Sequence, residues 1–364
     1  MNASTAAGEE TAPDGGWRSF DALPRAFGEP PITCRLRAEP ADFTVDEILA
    51  FGPDGAGEHR LLRVQKTDCN TDWVARRIAA LAGVPHKVVG YAGLKDRHAV
   101  TTQWFSVHLG PRPEPDWAPL AAEGIEVLES HAHKRKLRRG LLAANAFELR
   151  LRDVVGDRDA LERRMQTIAR GGVPNYFGPQ RFGRGGGNLH RAAAMFAGTP
   201  AADDRGRRAG RHLQGLYLSA ARSQLFNEVL ALRVEREDWH RALPGERLQL
   251  FGCHSHFLAE VIDERIHERV VSGDALPTGP LFGAGEPLTT GEVAALEAGV
   301  SAPFAAWIEG LADAGLAQER RPLVLNPEDL CLEWLAPDEL RLCFTLPAGS
   351  YATSLLRELA LWTE

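Results

Sequence analysis

The sequence predicts a mixed α/β protein of two domains, and three observations carry that reading. A chain of 364 residues is longer than one average domain. Between residues 57 and 107 the hydrophobic spacing runs strand, helix, strand, loop, strand. Finally, a Gly-, Pro- and Ala-rich stretch at 270–322 gives way to an alternating apolar hairpin at 330–346, which marks a boundary and a second sheet segment.

Taken in order, residues 1–30 are rich in Ala, Gly, Glu and Pro without periodicity and read as a mobile tail, with Trp17 and Phe20 as its packing points. Regular structure is expected from Ile32, as a strand, a turn at Pro40, and an alternating strand through Phe43, Val45 and Ile48. Gly57 to Lys66 alternates as a half-buried strand. Asn70 or Thr71 caps a helix whose apolar residues Val74, Ile78 and Leu81 recur at helical spacing, and Gly83 ends it. Residues 88–107 read as strand, polar loop, strand. Asp157 or Asp159 caps a helix carrying Leu161, Met165 and Ile168, which stops at Gly171-Gly172. Residues 181–211 hold seven arginines against two aspartates, with 205–211 expected as a mobile basic loop. A helix is expected over 219–236, and Thr289 with Glu292 has the spacing of a capping box. The hairpin turns at Pro337-Asp338-Glu339, and a helix follows Tyr351.

Composition narrows the function classes. An apolar share of 44% and a charged share of 25% are those of an ordinary globular protein. No apolar run approaches the roughly 18 residues a membrane span needs, and no secretory signal is expected. Five scattered cysteines fit neither a disulfide framework nor a C-x-x-C zinc pattern, so a reducing, cytoplasmic setting is expected. His254 and His256 stand at i, i+2 on an expected strand, but no second ligand pair follows, and they read as structural. The glycines of 183–187 lack a phosphate-loop lysine, so neither a metal nor a nucleotide cofactor is expected. A net charge of −7 does not exclude a nucleic-acid partner, because the cations cluster.

The chemistry concentrates in the loop of 88–107. There Asp96 stands between Lys95 and Arg97, and neighbouring positive charge favours the ionised carboxylate. A loop-presented, ionised aspartate suits a nucleophile, and a turn residue with solvated neighbours is the plainer alternative. Residues 131–152 carry seven Lys/Arg against one Glu, and within them Lys134, Arg135, Lys136, Arg138 and Arg139 form the strongest basic cluster of the chain. In an otherwise acidic protein that cluster reads as a phosphate-binding track, with a solvated face as the alternative.

The string Gly90 to Trp104 resembles the catalytic motif of the TruD family of tRNA pseudouridine synthases. Four further segments, Glu39–Ile48, the Lys-Leu-Arg run through Phe147, Asn175–Phe182 and Pro347–Leu359, resemble that family's other motifs in the correct order. The resemblance implies a pseudouridine-synthase domain with a largely antiparallel mixed sheet over 31–170 and 322–364, interrupted by an α/β domain over 171–321. It implies isomerisation of a tRNA uridine, in the family at position 13, with no cofactor, no membrane and no obligate protein partner. By match, Asp96 is the nucleophile, Phe43, Asn145, Phe147 and Tyr351 contact the target nucleotide, and Arg37 is the candidate cation for Asp96. Ala144 stands where the family usually has glycine, and Tyr351 where it often has phenylalanine. Attack at C1′ or at C6 of the base both remain open. Two other classes stay in view. A non-catalytic RNA-binding module would need only the basic tracks, and a glycosidic hydrolase would need a second carboxylate, Glu47 or Glu58, within roughly 5–10 Å of Asp96.

Overall fold

The short pleated segments of the first half are set by alternation and by their turn residues. The structure, a computed structural model, describes residues 16–203 and 206–364. In chain order it begins with β1 (Ile32–Leu36), β2 (Phe43–Leu49), β3 (His59–Thr67), α1 (Thr71–Leu81), β4 (Val89–Tyr91), β5 (Val100–His108), β6 (Ile125–His133), β7 (Leu142–Gly156) and α2 (Arg158–Gly171). Pro40 opens a single 3-10 turn between β1 and β2. The buried Asp42 closes that turn, accepting the Glu39 N–H at 2.9 Å and an Arg152 N–H at 2.8 Å. One face of α1 (Val74, Ala75, Ile78, Ala79) packs on Leu62, Val64, Phe105 and Val107 of the sheet. Asn70 is the N-cap, but its side chain makes no capping bond; the Thr71 hydroxyl turns to Gln103 Oε1 at 2.9 Å instead. Asp157 caps α2 through the Ala160 N–H at 2.9 Å.

The chain then builds β8 (Val173–Pro174), α3 (Gly187–Phe196), α4 (Arg211–Glu235), β9 (Glu246–Leu250), β10 (His256–Ala259), α5 (Glu264–Val271), β11 (Ala275–Leu281), α6 (Gly291–Ser301), α7 (Ala305–Asp313), β12 (Glu319–Pro322) and β13 (Val324–Leu325). Here β10-β9-β11-β12 form an antiparallel sheet and β8 pairs β13. Three expectations differ. The long helix starts at Arg211, eight residues earlier than its apolar spacing predicts, because Arg207 folds back onto Asp203 and the turn ends at Gly210; residues 204 and 205 lie outside the described residues. The Thr289–Glu292 capping box does not form: Thr290 is the N-cap, and the Thr289 hydroxyl is buried against Glu297 Oε2 at 2.9 Å. His256 opens β10 while His254 sits in the preceding turn, so the two imidazoles do not share a strand face.

The last segment supplies β14 (Glu328–Ala336), β15 (Glu339–Pro347), α8 (Ala352–Leu359) and β16 (Ala360–Thr363). With β1–β7 these strands make one ten-stranded sheet, ordered β14-β15-β7-β2-β5-β3-β6, with β1 bridging β16 and β7 and with β4 on β5. Only β2·β5 and β1·β16 run parallel among the described pairs, so the sheet is mixed and largely antiparallel.

The chain accordingly divides into two compact units. One comprises Glu29–Arg170 and Asn326–Glu364; the other comprises Gly171–Leu325 with the described residues 16–28. The expected tail over 1–30 falls partly on residues 1–15, outside the described residues. From residue 16 onward it is packed structure, because Trp17 and Leu23 are buried and Trp17 lies 5.2 Å from the Trp307 ring. Among the described residues no helix is long and apolar enough to cross a membrane, and no group of three or more His, Cys, Asp or Glu is placed to hold a metal.

Candidate active site

The register of the large sheet gathers the residues of interest on one face. Across β2 and β7, Phe43 opposes Leu149, Val45 opposes Phe147, and Glu47 opposes Asn145. On the far side of β7, Phe344 of β15 opposes Phe147. Directly opposed residues project to the same face. Lys66 of β3 joins that face through its pairing with Thr101, which in turn pairs with Val45.

The loop between β4 and β5 hangs at the edge of this face. The Thr71 hydroxyl, at the first position of α1, accepts the Lys95 N–H at 3.0 Å, and Gln103 Nε2 donates to the Gly93 carbonyl at 3.3 Å. From beneath, Lys66 Nζ donates to the Asp96 carbonyl at 2.7 Å. On the outer side His98 Nδ1 meets Asp68 at 2.8 Å. Asp96 is therefore held by several elements, and its carboxylate projects with 42% side-chain exposure.

Its partner is Arg37. Nη2 stands 2.8 Å from Asp96 Oδ2, Nη1 reaches Glu364 at 3.1 Å, and the guanidinium lies 4.0 Å above the Phe43 ring. Arg37 adopts φ +59°, a left-handed conformation that costs a non-glycine residue about 1–2 kcal/mol. The two cations beside Asp96 in sequence serve other carboxylates. Lys95 turns inward, 6% exposed, pairing Glu47 Oε2 at 3.1 Å and donating to Asn145 Oδ1. Arg97 turns outward toward Asp68. Burial pushes the Glu47 carboxyl up, with the Lys95 ammonium and the Trp104 N–H at 3.2 Å opposing that rise. Lys66, fully buried, is pushed down to about 8 by desolvation.

The aromatic residues separate into two groups. Phe43 and Phe147 meet edge to face at 6.1 Å, and Phe147 stacks on Phe344 at 5.1 Å. Tyr351 stands at the N-terminus of α8, four residues after Pro347, which pairs with Ala144 next to Asn145. The Asn145 amide nitrogen makes no hydrogen bond among the described residues, whereas its oxygen is taken by Lys95.

The basic run forms the connection between β6 and β7. Lys134, Arg135, Lys136, Arg138 and Arg139 are exposed, and only Leu137 is buried as an anchor. Gly90 of β4 permits this packing: a Cβ there would stand 2.2 Å from the Leu137 carbonyl oxygen. Arg139 lies 5.7 Å over the Tyr91 ring, and the Gly140 N–H donates to the Ala92 carbonyl at 3.0 Å, so the run borders the Asp96 loop. His133, which begins the run in sequence, is buried against Asp54 and Phe51.

Neither Glu47 nor Glu58, the two carboxylates weighed from the sequence for a hydrolytic pair, is placed to act as one. Glu47 is committed to Lys95 and the Trp104 amide. Glu58, just before β3, lies eight residues from Lys66, roughly 26 Å at strand rise, paired with His108. Sequence reasoning did not find Lys66, Phe344 or the Lys95–Glu47–Asn145 cluster. A lysine two positions after Val64 on an apolar strand face was the available signal for Lys66.

A family model described as tRNA pseudouridine synthase D (TruD) matches residues 22–199 and 207–359. The tRNA pseudouridine synthase D of Methylococcus capsulatus is 50% identical over 342 residues, covering 93% of this chain and 94% of that protein. That of Xanthomonas axonopodis pv. citri is 49% identical over 346 residues, covering 93% and 94%. A crystal structure of the putative tRNA pseudouridine synthase D of Methanosarcina mazei shares the fold, with a TM-score of 0.68 at 22% identity over 92% of this chain and 95% of that one. The motif order, the ten-stranded mixed sheet and these matches agree: the chain belongs to the tRNA pseudouridine synthase D (TruD) family.

Proposed function

We propose that this chain isomerises one tRNA uridine to pseudouridine, at position 13 of the D-arm, with Asp96 as nucleophile. The observation that carries the reading is the projecting Asp96 carboxylate, held on both its peptide and its side chain. It is paired to Arg37 at 2.8 Å and held at the rim of a face that carries Phe43, Phe147 and Asn145, while Glu47 on that face is committed to Lys95. The Arg37 guanidinium at this distance orients the carboxylate for attack.

The exposed run Lys134, Arg135, Lys136, Arg138 and Arg139 binds phosphates and brings the D-arm to the loop. A uridine inside a stack is out of reach, so it is extruded. Phe43, Phe147 and Tyr351 wall the extruded base, and the Asn145 amide nitrogen donates to a uracil carbonyl. Asp96 then attacks C1′, displacing N1 with the bonding electrons, or adds to C6 and loosens the same bond. The uracil turns over, C5 bonds to C1′, the carboxylate leaves, C5 loses its proton and N1 gains one. Product and substrate are isomers, so no other reactant enters.

The test is incubation with unmodified tRNA, followed by carbodiimide adduct formation and primer extension. One stop at the D-arm uridine supports the proposal. Binding without a stop supports the RNA-binding module, and release of free uracil with an abasic site supports the hydrolase.

A further inference from the structure

The core-facing side of β3 runs Leu62, Val64, Lys66, and all three are fully buried. An ammonium in such a place is expensive to desolvate, whereas a methionine of similar length would fill the space without that penalty. The charge is spent on one contact of note, the 2.7 Å hydrogen bond to the main-chain carbonyl of Asp96. Lys66 cannot itself touch RNA, because no part of it reaches the surface. Arg37 grips the carboxylate of the same residue from the other side. Asp96 is thus fixed at two points, peptide and side chain, by two cations, Lys66 on β3 and Arg37 just after β1.

We propose that Lys66 is a positioning residue: its ammonium clamps the Asp96 carbonyl and so sets the direction in which the carboxylate meets the target nucleotide. This rests on the reading of Asp96 as nucleophile. The titratable groups around the ammonium are Asp68 and Cys69 from the turn after β3, and Lys95 and Asp96 from the loop. Burial outweighs them and brings Lys66 down to about 8, with Cys69, Asp96 and Asp68 holding it up and Lys95 adding to the fall. The clamp therefore loses its charge above mildly alkaline pH, and turnover falls with it.

The experiment measures single-turnover rate and tRNA affinity across the range from about pH 6 to about pH 10 for wild type, Lys66→Met, Lys66→Arg and Asp96→Ala. Lys66→Met is expected to lose about 10²-fold in rate, the scale of a misplaced reacting group, while binding tRNA within about two-fold. It should also lack the alkaline limb expected of wild type near pH 8. Lys66→Arg should keep a larger share of the rate and lack the limb, since a guanidinium stays charged. A folded Lys66→Met enzyme with wild-type rate overturns the inference, as does one that keeps the alkaline limb. If Lys66→Met does not fold, a wild-type rate profile that stays flat to pH 10 overturns it equally. Turnover by Asp96→Ala would sink the nucleophile itself; an inactive Asp96→Ala beside a fully active Lys66→Met sinks only the clamp.

Discussion

Replacing Lys95 with methionine tests the polar cluster beneath the candidate site. Lys95 Nζ lies 3.1 Å from Glu47 Oε2, and the two side chains are 6% and 0% exposed. Removing one partner of a buried pair costs about 3–5 kcal/mol, because the other charge stays in a poor solvent. For a body of about 150–250 residues that corresponds to a fall in Tm of about 6–20 °C. The pH dependence has a definite sign. Burial raises Glu47 above its ordinary value in the folded protein, so the native state keeps this proton to higher pH than the unfolded chain does. Stability associated with Glu47 is therefore greatest at low pH and falls as pH rises through the window above the ordinary carboxylate value. Without Lys95 that window extends upward, so the penalty is large at neutral pH and shrinks on acidification. Glu47→Gln added to Lys95→Met should restore most of the loss, since the amide needs no counter-ion. Thermal melts of the single and double variants across pH supply the data. Equal destabilisation of both, without pH dependence, would refute the argument.

Two further outcomes follow from the same geometry. Arg37→Met should lower the single-turnover rate by about 10²-fold with tRNA affinity little changed, and Arg37→Lys should recover part of it; rates and affinities measured side by side check this. Replacing Lys134, Arg135, Arg138 and Arg139 together with serine should weaken binding and flatten its salt dependence by about 0.7–0.9 in log–log slope per lost phosphate contact, leaving the rate at saturating tRNA unchanged. Filter binding over a salt series measures that slope.

The parts of the fold that were legible in the sequence are those that local chemistry determines. Val89 to Val107 declares strand, loop, strand through its glycines and β-branched residues, and Val74, Ile78 and Leu81 declare α1 through their spacing. The strands β6 and β7 were not separable from the basic run between them, because charged residues on the exposed face mask the alternation. Four residues of β16 are too few to show a period, and that strand exists only because β1 lies parallel beside it. The start of α4 was hidden because Arg211 to Leu218 follows directly on the Gly- and Arg-rich 205–210 and itself holds Gly215, a poor helix former. At the site, Asp96, Phe43, Asn145 and Phe147 stand out through motif resemblance. The pairing of Lys95 with Glu47 and the reach of Lys66 to a main-chain carbonyl arise from strand register, which no local pattern reports. Glu47, weighed from sequence as a second catalytic carboxylate, is placed by that register opposite Asn145 and against Lys95 instead.

The central claim is that Asp96 is the nucleophile. The most direct measurement is pseudouridine formed per tRNA in a single turnover by wild type, Asp96→Ala and Asp96→Asn, with tRNA affinity determined on the same preparations. The account predicts product at one D-arm uridine with wild type alone, and binding by all three proteins within about two-fold. Pseudouridine formed at that position by a folded Asp96→Ala protein would contradict it.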